Sequence, residues 1–199
     1  MEVALAELGK KYGKRWVFQD LNQHIEKGDS WAICGANGSG KSTLLKIIGN
    51  YHTATRGKVI YSSGGKTIPQ SEATLKMSYT GPDQNLIEEL TLEEQIHFHF
   101  QFKRPLLSTE ELIQESGLKG SEATFIHDFS SGMKQRLKLA LALYSEADLL
   151  LLDEPTAFMD QSGIDWYRRE LLNKKDKITI IIASNQSYEY DFTQKIIQL

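Results

Sequence analysis

The chain has 199 residues, a hydrophobic fraction of 40%, a charged fraction of 25% and a formal net charge of −3. This is the length and composition of one folded domain with a sizeable core, and it argues against disorder. The mild acidity gives no general attraction for nucleic acid; no stretch approaches the ~18 consecutive apolar residues of a membrane helix, and Glu2 and Glu7 stand where a secretory leader would be basic and then apolar.

The chain is therefore expected in the cytoplasm, or on a membrane through a partner. Cys34 is its single cysteine, which excludes an intrachain disulfide, and the surrounding apolar run predicts a core position for it. The first third reads as strands over Val3 to Leu8, Trp16 to Phe18, Leu21 to Ile25, Ser30 to Cys34 and Lys58 to Tyr61. One helix, Lys41 to about Asn50, interrupts them, and Ser62 to Gly65 reads as a small loop.

The middle third turns helical. Thr91-Leu92-Glu93-Glu94 and Ser108-Thr109-Glu110-Glu111 both match the capping box S/T-x-x-E, with Pro105 between them, so about Gln84 to Asp128 is expected to be a helical insertion. Further on, helices near Gly132 to Ser145 and about Asp160 to Asn173 alternate with apolar runs at Leu149 to Leu152 and Ile178 to Ala183. Continuous apolar strands between helices predict an α/β fold with a parallel sheet covered on both faces.

Within this framework Gly35-Ala36-Asn37-Gly38-Ser39-Gly40-Lys41-Ser42 satisfies G-x-x-x-x-G-K-[ST] between a predicted strand and a predicted helix. Glycines let successive N–H groups point at phosphate oxygens, and the helix start adds the positive end of its dipole. Lys41 would supply a full charge to the β- and γ-phosphates, and the Ser42 hydroxyl suits Mg²⁺, a hard ion that prefers oxygen. Leu149 to Glu154 would complete the site by presenting Asp153 to Mg²⁺ and Glu154 to a water beyond the γ-phosphate. Alone, an apolar run ending in two acids is often only a strand leaving the core.

With Phe129-Ser130-Ser131-Gly132-Met133 between them, these elements resemble the ATP-binding subunit of ABC transporters, whose signature usually reads L-S-G-G-Q before the Walker B aspartate. The resemblance covers nearly the whole chain. It implies a P-loop NTPase fold over residues 1–199, with an N-terminal antiparallel β subdomain and the helical subdomain at about 84–128. ATP and Mg²⁺ are the implied cofactors. The loop residues Gly35, Asn37, Gly38, Ser39, Gly40, Lys41, Ser42 and Thr43 would bind the phosphates, and Ser42 and Asp153 the metal. Tyr12 stands where the family places an aromatic that stacks on adenine, though it is also readable as a surface strand aromatic; Asp160 stands at the D-loop aspartate. The resemblance further implies a head-to-tail pair of ATP-binding subunits, with Ser130 and Gly132 offered to the partner's ATP. A membrane-spanning permease subunit would touch the helical insertion. No nucleic-acid partner is expected.

Three motif positions depart from the family pattern. The signature reads S-S-G-M for S-G-G-Q, so Ser131 is expected to crowd a tight backbone turn and Met133 to remove an amide, weakening closure. The Q-loop position falls on Pro82, with Gln84 two places late: either the loop is rewired to let Gln84 serve, or nothing fills that role. Asn185 follows the run Ile180-Ile181-Ile182-Ala183-Ser184 where the family has its switch histidine. An asparagine donates a hydrogen bond but carries no proton or charge near neutral pH, so Glu154 is left as the polarising base and hydrolysis is expected to be slow. Of the histidines only His97-x-His99 has close spacing, and on a helix those two face apart, against a zinc site. The leading reading is the energy-coupling subunit of a membrane transporter. The alternatives are a soluble ATPase of this type acting on nucleic acid or ribosomes, and a nucleotide-gated binding module with little hydrolysis.

Overall fold

The computed structural model describes residues 1–193 and 195–199. It divides into two compact units, the first made of Met1–Tyr79, Ala147–Glu154 and Lys174–Leu199, the second of Thr80–Glu146 and Pro155–Asn173.

In the first unit, β1 (Glu2–Tyr12), β2 (Arg15–Ile25), β4 (Arg56–Ser63) and β5 (Lys66–Ile68) form an antiparallel sheet in the order β2-β1-β4-β5. Val3 and Leu5 alternate with partly exposed neighbours along β1, the period-2 pattern of a strand with one face on the core. A second sheet has the order β6-β7-β8-β3-β9, with β3 (Ser30–Cys34), β6 (Met77–Thr80), β7 (Leu149–Asp153), β8 (Thr179–Ala183) and β9 (Lys195–Gln198). The pairs β7–β8, β8–β3 and β3–β9 are parallel. Every residue of β7 and β8 is buried, as strands covered on both faces require. Each such aliphatic side chain contributes about 1.5–3 kcal/mol by leaving water. Helix α1 (Lys41–Ile48) packs on β3, β7 and β8 through Leu44, Leu45, Ile47 and Ile48.

In the second unit, α3 (Leu92–His99) and α4 (Thr109–Glu115) begin at Thr91 and Ser108, and both capping boxes are formed. Helix α5 (Ser131–Leu143) and α6 (Gln161–Lys174) follow in the chain, with the Trp166 Nε1–H group 3.4 Å from the Tyr144 hydroxyl. His99 lies 3.0 Å from the Ser145 hydroxyl, and burial, together with the nearby Lys103 charge, pushes its pKa down to about 4. The unfolded chain binds this proton near pH 6.5 and the folded chain only near pH 4, so stability present above the first value is lost as pH falls through the window. Between pH 7 and pH 4, His99→Gln is expected to lose less stability than the wild type, by on the order of 2–3 kcal/mol, in urea titrations at each pH. Equal losses would remove His99 as the source.

Several boundaries differ from those read in the sequence. The two short strands at Trp16–Phe18 and Leu21–Ile25 are one strand, β2, whose register against β1 shifts repeatedly and whose Asp20 has φ 53°. A bulged strand loses the regular alternation by which it would be recognised. Ser62 and Ser63 belong to β4, leaving Gly64-Gly65 as the turn into β5. Strands β5, β6 and β9 and helix α2 (Gln70–Leu75) carried too short a period to be seen. The second unit includes α5 and most of α6 besides residues 84–128. Cys34 is only half-buried, because it sits where β3 runs out into the loop.

Candidate functional site

The loop from Gly35 to Gly40 connects β3 to α1 in the first unit, and its shape depends on what a glycine permits. Gly40 has φ 107°, and a Cβ there would lie 2.2 Å from Val17 Cγ1 on β2, so a side chain would be strained by the backbone and would clash with Val17. Ser39 N–H donates to the Ala36 carbonyl, and Leu44 N–H to that of Gly40, which closes the first turn of α1.

Lys41 is buried, at 6% exposure, and its Nζ donates to the carbonyls of Gly35 and Ala36 at 3.0 and 3.1 Å. An ammonium has three N–H donors, so these contacts leave one more for an incoming oxygen. The Ser39 hydroxyl is buried with no hydrogen-bond partner among the described residues, a second donor held in reserve within the loop. Ser42 Oγ donates to Asp153 Oδ1 at 2.9 Å, joining the start of α1 to the end of β7. Two hard oxygens held together this way, one on a buried carboxylate, fit the donor set of Mg²⁺.

Glu154 follows β7 with φ 46°, a left-handed backbone that costs a glutamate on the order of 1–2 kcal/mol. Its N–H donates to the Ala183 carbonyl at 2.9 Å, which holds this turn against the end of β8. A cavity of about 400 Å³ is lined by Tyr12, Val17, Asn37, Gly38, Gly40, Lys41, Ser42, Thr43 and Glu154. Tyr12 is 52% exposed at the end of β1, with Lys10 Nζ 5.0 Å from its ring centroid. It is a surface strand aromatic by exposure and a cavity wall by position. Beyond β8, the Asn185 side-chain amide donates to Asn37 Oδ1 on the loop. Nothing in the sequence of either segment signals that contact, which depends on the pairing of β8 with β3.

The remaining candidates belong to the second unit. Ser130 caps α5 by accepting the Met133 N–H at 3.2 Å. Ser131 is the exposed first residue of that helix and has no positive φ, so the expected crowding of a tight turn does not arise; a helix N-terminus accommodates a serine side chain. The tight position is Gly132, where a Cβ would lie 2.9 Å from the Phe158 carbonyl. Gln84 is partly exposed, with its Oε1 atom buried and without a hydrogen-bond partner among the described residues. Asp160 accepts from Arg136 at 2.8 Å and from Gly163 N–H at 2.9 Å, and the Arg136 guanidinium first among these holds its pKa down to about 2. Sequence reading did not anticipate Arg136 in that role.

The chain can be set beside known proteins on this geometry. The sequence pattern of the ABC transporter family matches residues 18–157. The lantibiotic transport ATP-binding protein SrtF of Streptococcus pyogenes is 32% identical over 189 residues, covering 91% of this chain and 79% of that protein. The aliphatic sulfonates import ATP-binding protein SsuB of Bacillus cereus is 31% identical over 193 residues, 93% of this chain and 75% of that one. Among solved structures, MJ0796, described as a dimeric bacterial ABC transporter cassette, superposes with a TM-score of 0.84 at 26% identity, over 99% of this chain and 94% of that one. The same cassette is known as a post-hydrolysis dimer bound to ADP and Pi, matched here with a TM-score of 0.83 at 25% identity, over 99% of this chain and 94% of that one.

Proposed function

The chain belongs to the ABC transporter family and is an ATPase of that family, and we propose that it powers a membrane transporter by closing, with ATP, against a second ATP-binding subunit. The observation that carries this reading is the 2.9 Å contact of Ser42 with Asp153, which puts the phosphate loop and the acidic end of β7 into one site. The two units together would constitute one ATP-binding cassette.

In this reading the loop N–H groups and Lys41 bind the β- and γ-phosphates, the Ser39 hydroxyl adds a donor, and Tyr12 offers its ring to adenine. Mg²⁺, held by Ser42 and Asp153, would neutralise charge on the β- and γ-phosphates. Glu154, which lines the cavity, accepts a proton from the attacking water. Asn185 donates a neutral hydrogen bond to the γ-phosphate. Its lack of charge leaves part of the developing negative charge uncompensated, so turnover is slow. Ser130 and Gly132 complete the ATP site of the second subunit, which is either another copy or a related cassette, and Gln84 serves the Q-loop. The helical unit contacts a membrane-spanning permease subunit, which holds the chain on the cytoplasmic face of the membrane. No helix among the described residues is long and apolar enough to cross it.

The test is affinity capture of the tagged chain from detergent-solubilised membranes of its native cells. A membrane-spanning subunit is expected to co-purify, and the complex to release phosphate from Mg-ATP faster than the isolated chain. Recovery of the chain without any membrane subunit, at an unaltered rate, would refute the transport reading.

A further inference from the structure

We propose that Asn37 and Asn185 form a clasp across the phosphate loop that ATP opens and ADP leaves shut, so that this pair sets the preference between the two nucleotides. The inference rests on the assignment of residues 35–43 as the nucleotide loop and of Asn185 as a γ-phosphate contact.

The Asn185 amide donates to Asn37 Oδ1, bridging the segment after β8 to the loop after β3. The segment after β8 is anchored by backbone. Ser184 is buried, its N–H directed at the Ile33 carbonyl at 3.3 Å, and its hydroxyl accepts the Gln186 N–H at 2.8 Å, so residue 185 is held between two fixed neighbours. Asn37 stands one residue beyond the Ala36 carbonyl, which accepts both Ser39 N–H and the Lys41 ammonium. The side chains of 37 and 185 are both exposed.

Asn37 Oδ1 is a neutral acceptor on the same loop that would carry the phosphates, so it competes with a γ-phosphate oxygen for the one N–H of the Asn185 amide that is directed at the loop. A charged acceptor makes a hydrogen bond roughly twice as strong as a neutral one, and the γ-phosphate therefore wins. The lost amide–amide bond is subtracted from ATP affinity alone, because ADP offers no γ-phosphate oxygen to displace it. A histidine at 185 would change the donor, while Asn37 would keep its acceptor.

The experiment measures ATP and ADP dissociation constants by titration calorimetry, without Mg²⁺ so that no turnover occurs, for wild type, Asn37→Ala, Asn185→Ala and the double variant. Asn37→Ala keeps the loop N–H at that position and is expected to raise the ratio of ATP to ADP affinity about 5-fold, the factor that one neutral hydrogen bond is worth. In the Asn185→Ala background the same substitution is expected to leave that ratio unaltered. Equal shifts for ATP and ADP, a lowered ratio, or the same effect with and without Asn185 would overturn the clasp while leaving the nucleotide site intact. Failure of the wild type to bind either nucleotide would overturn the site itself and the clasp with it.

Discussion

Lys41→Ala is expected to abolish measurable Mg-ATP binding. The side chain is buried at the start of α1, and its ammonium is the cation that the cavity wall offers to phosphates. Alanine removes that charge and leaves the carbonyls of Gly35 and Ala36 without their donor, so the loop loses both its attraction for phosphate and part of what fixes its shape. ATP at about 100 times its dissociation constant should stabilise the wild type by ~2.7 kcal/mol, a rise in Tm of roughly 5–10 °C for a chain of this size. The variant should show no ATP-dependent rise by differential scanning fluorimetry, with its nucleotide-free circular dichroism unaltered. A retained rise would assign the phosphate lysine elsewhere.

Glu154→Gln should bind ATP normally and release phosphate at least ~100-fold more slowly, the lower end of what a positioned base contributes. The amide preserves the shape of the carboxylate and leaves the left-handed backbone of that residue as it is, so the loss isolates proton acceptance from packing. ATP should consequently persist at the subunit interface, and a dimer should accumulate on size-exclusion chromatography with Mg-ATP and dissolve when nucleotide is removed. Wild-type turnover in this variant would take Glu154 out of the chemistry.

These two residues were legible in the sequence because each sits in a pattern whose spacing is itself the physical requirement. A strand, a glycine-rich turn, a lysine and a helix must follow one another directly for backbone N–H groups and a dipole to meet one phosphate. The run Leu149 to Leu152 announced a strand covered on both faces, and β7 is such a strand. The partnership of Asn37 with Asn185 was not legible, because it depends on the register of β8 beside β3, which neither segment encodes alone. The bulged strand β2 was broken in two at Gln19-Asp20 for the opposite reason: the local pattern there departs from alternation while the strand continues. At Ser131 the structure has the first residue of a helix in place of the expected tight turn, and the constraint lies one place on, at Gly132.

The order β7-β8-β3 also governs when the site can come into being during synthesis. Ser30 lies beside Ile180, some 150 positions later, and β8 is the strand that stands between β3 and β7. Closing a loop of that length is slow to be rewarded by contacts, and parallel pairings of this kind are intrinsically late events. The phosphate loop and α1 emerge early from the ribosome, yet the sheet edge that would hold a nucleotide against them is incomplete until residues 179–183 have followed. Nucleotide therefore has no finished pocket on the nascent chain. Bound to the completed first unit, ATP would add to the persistence of the folded protein.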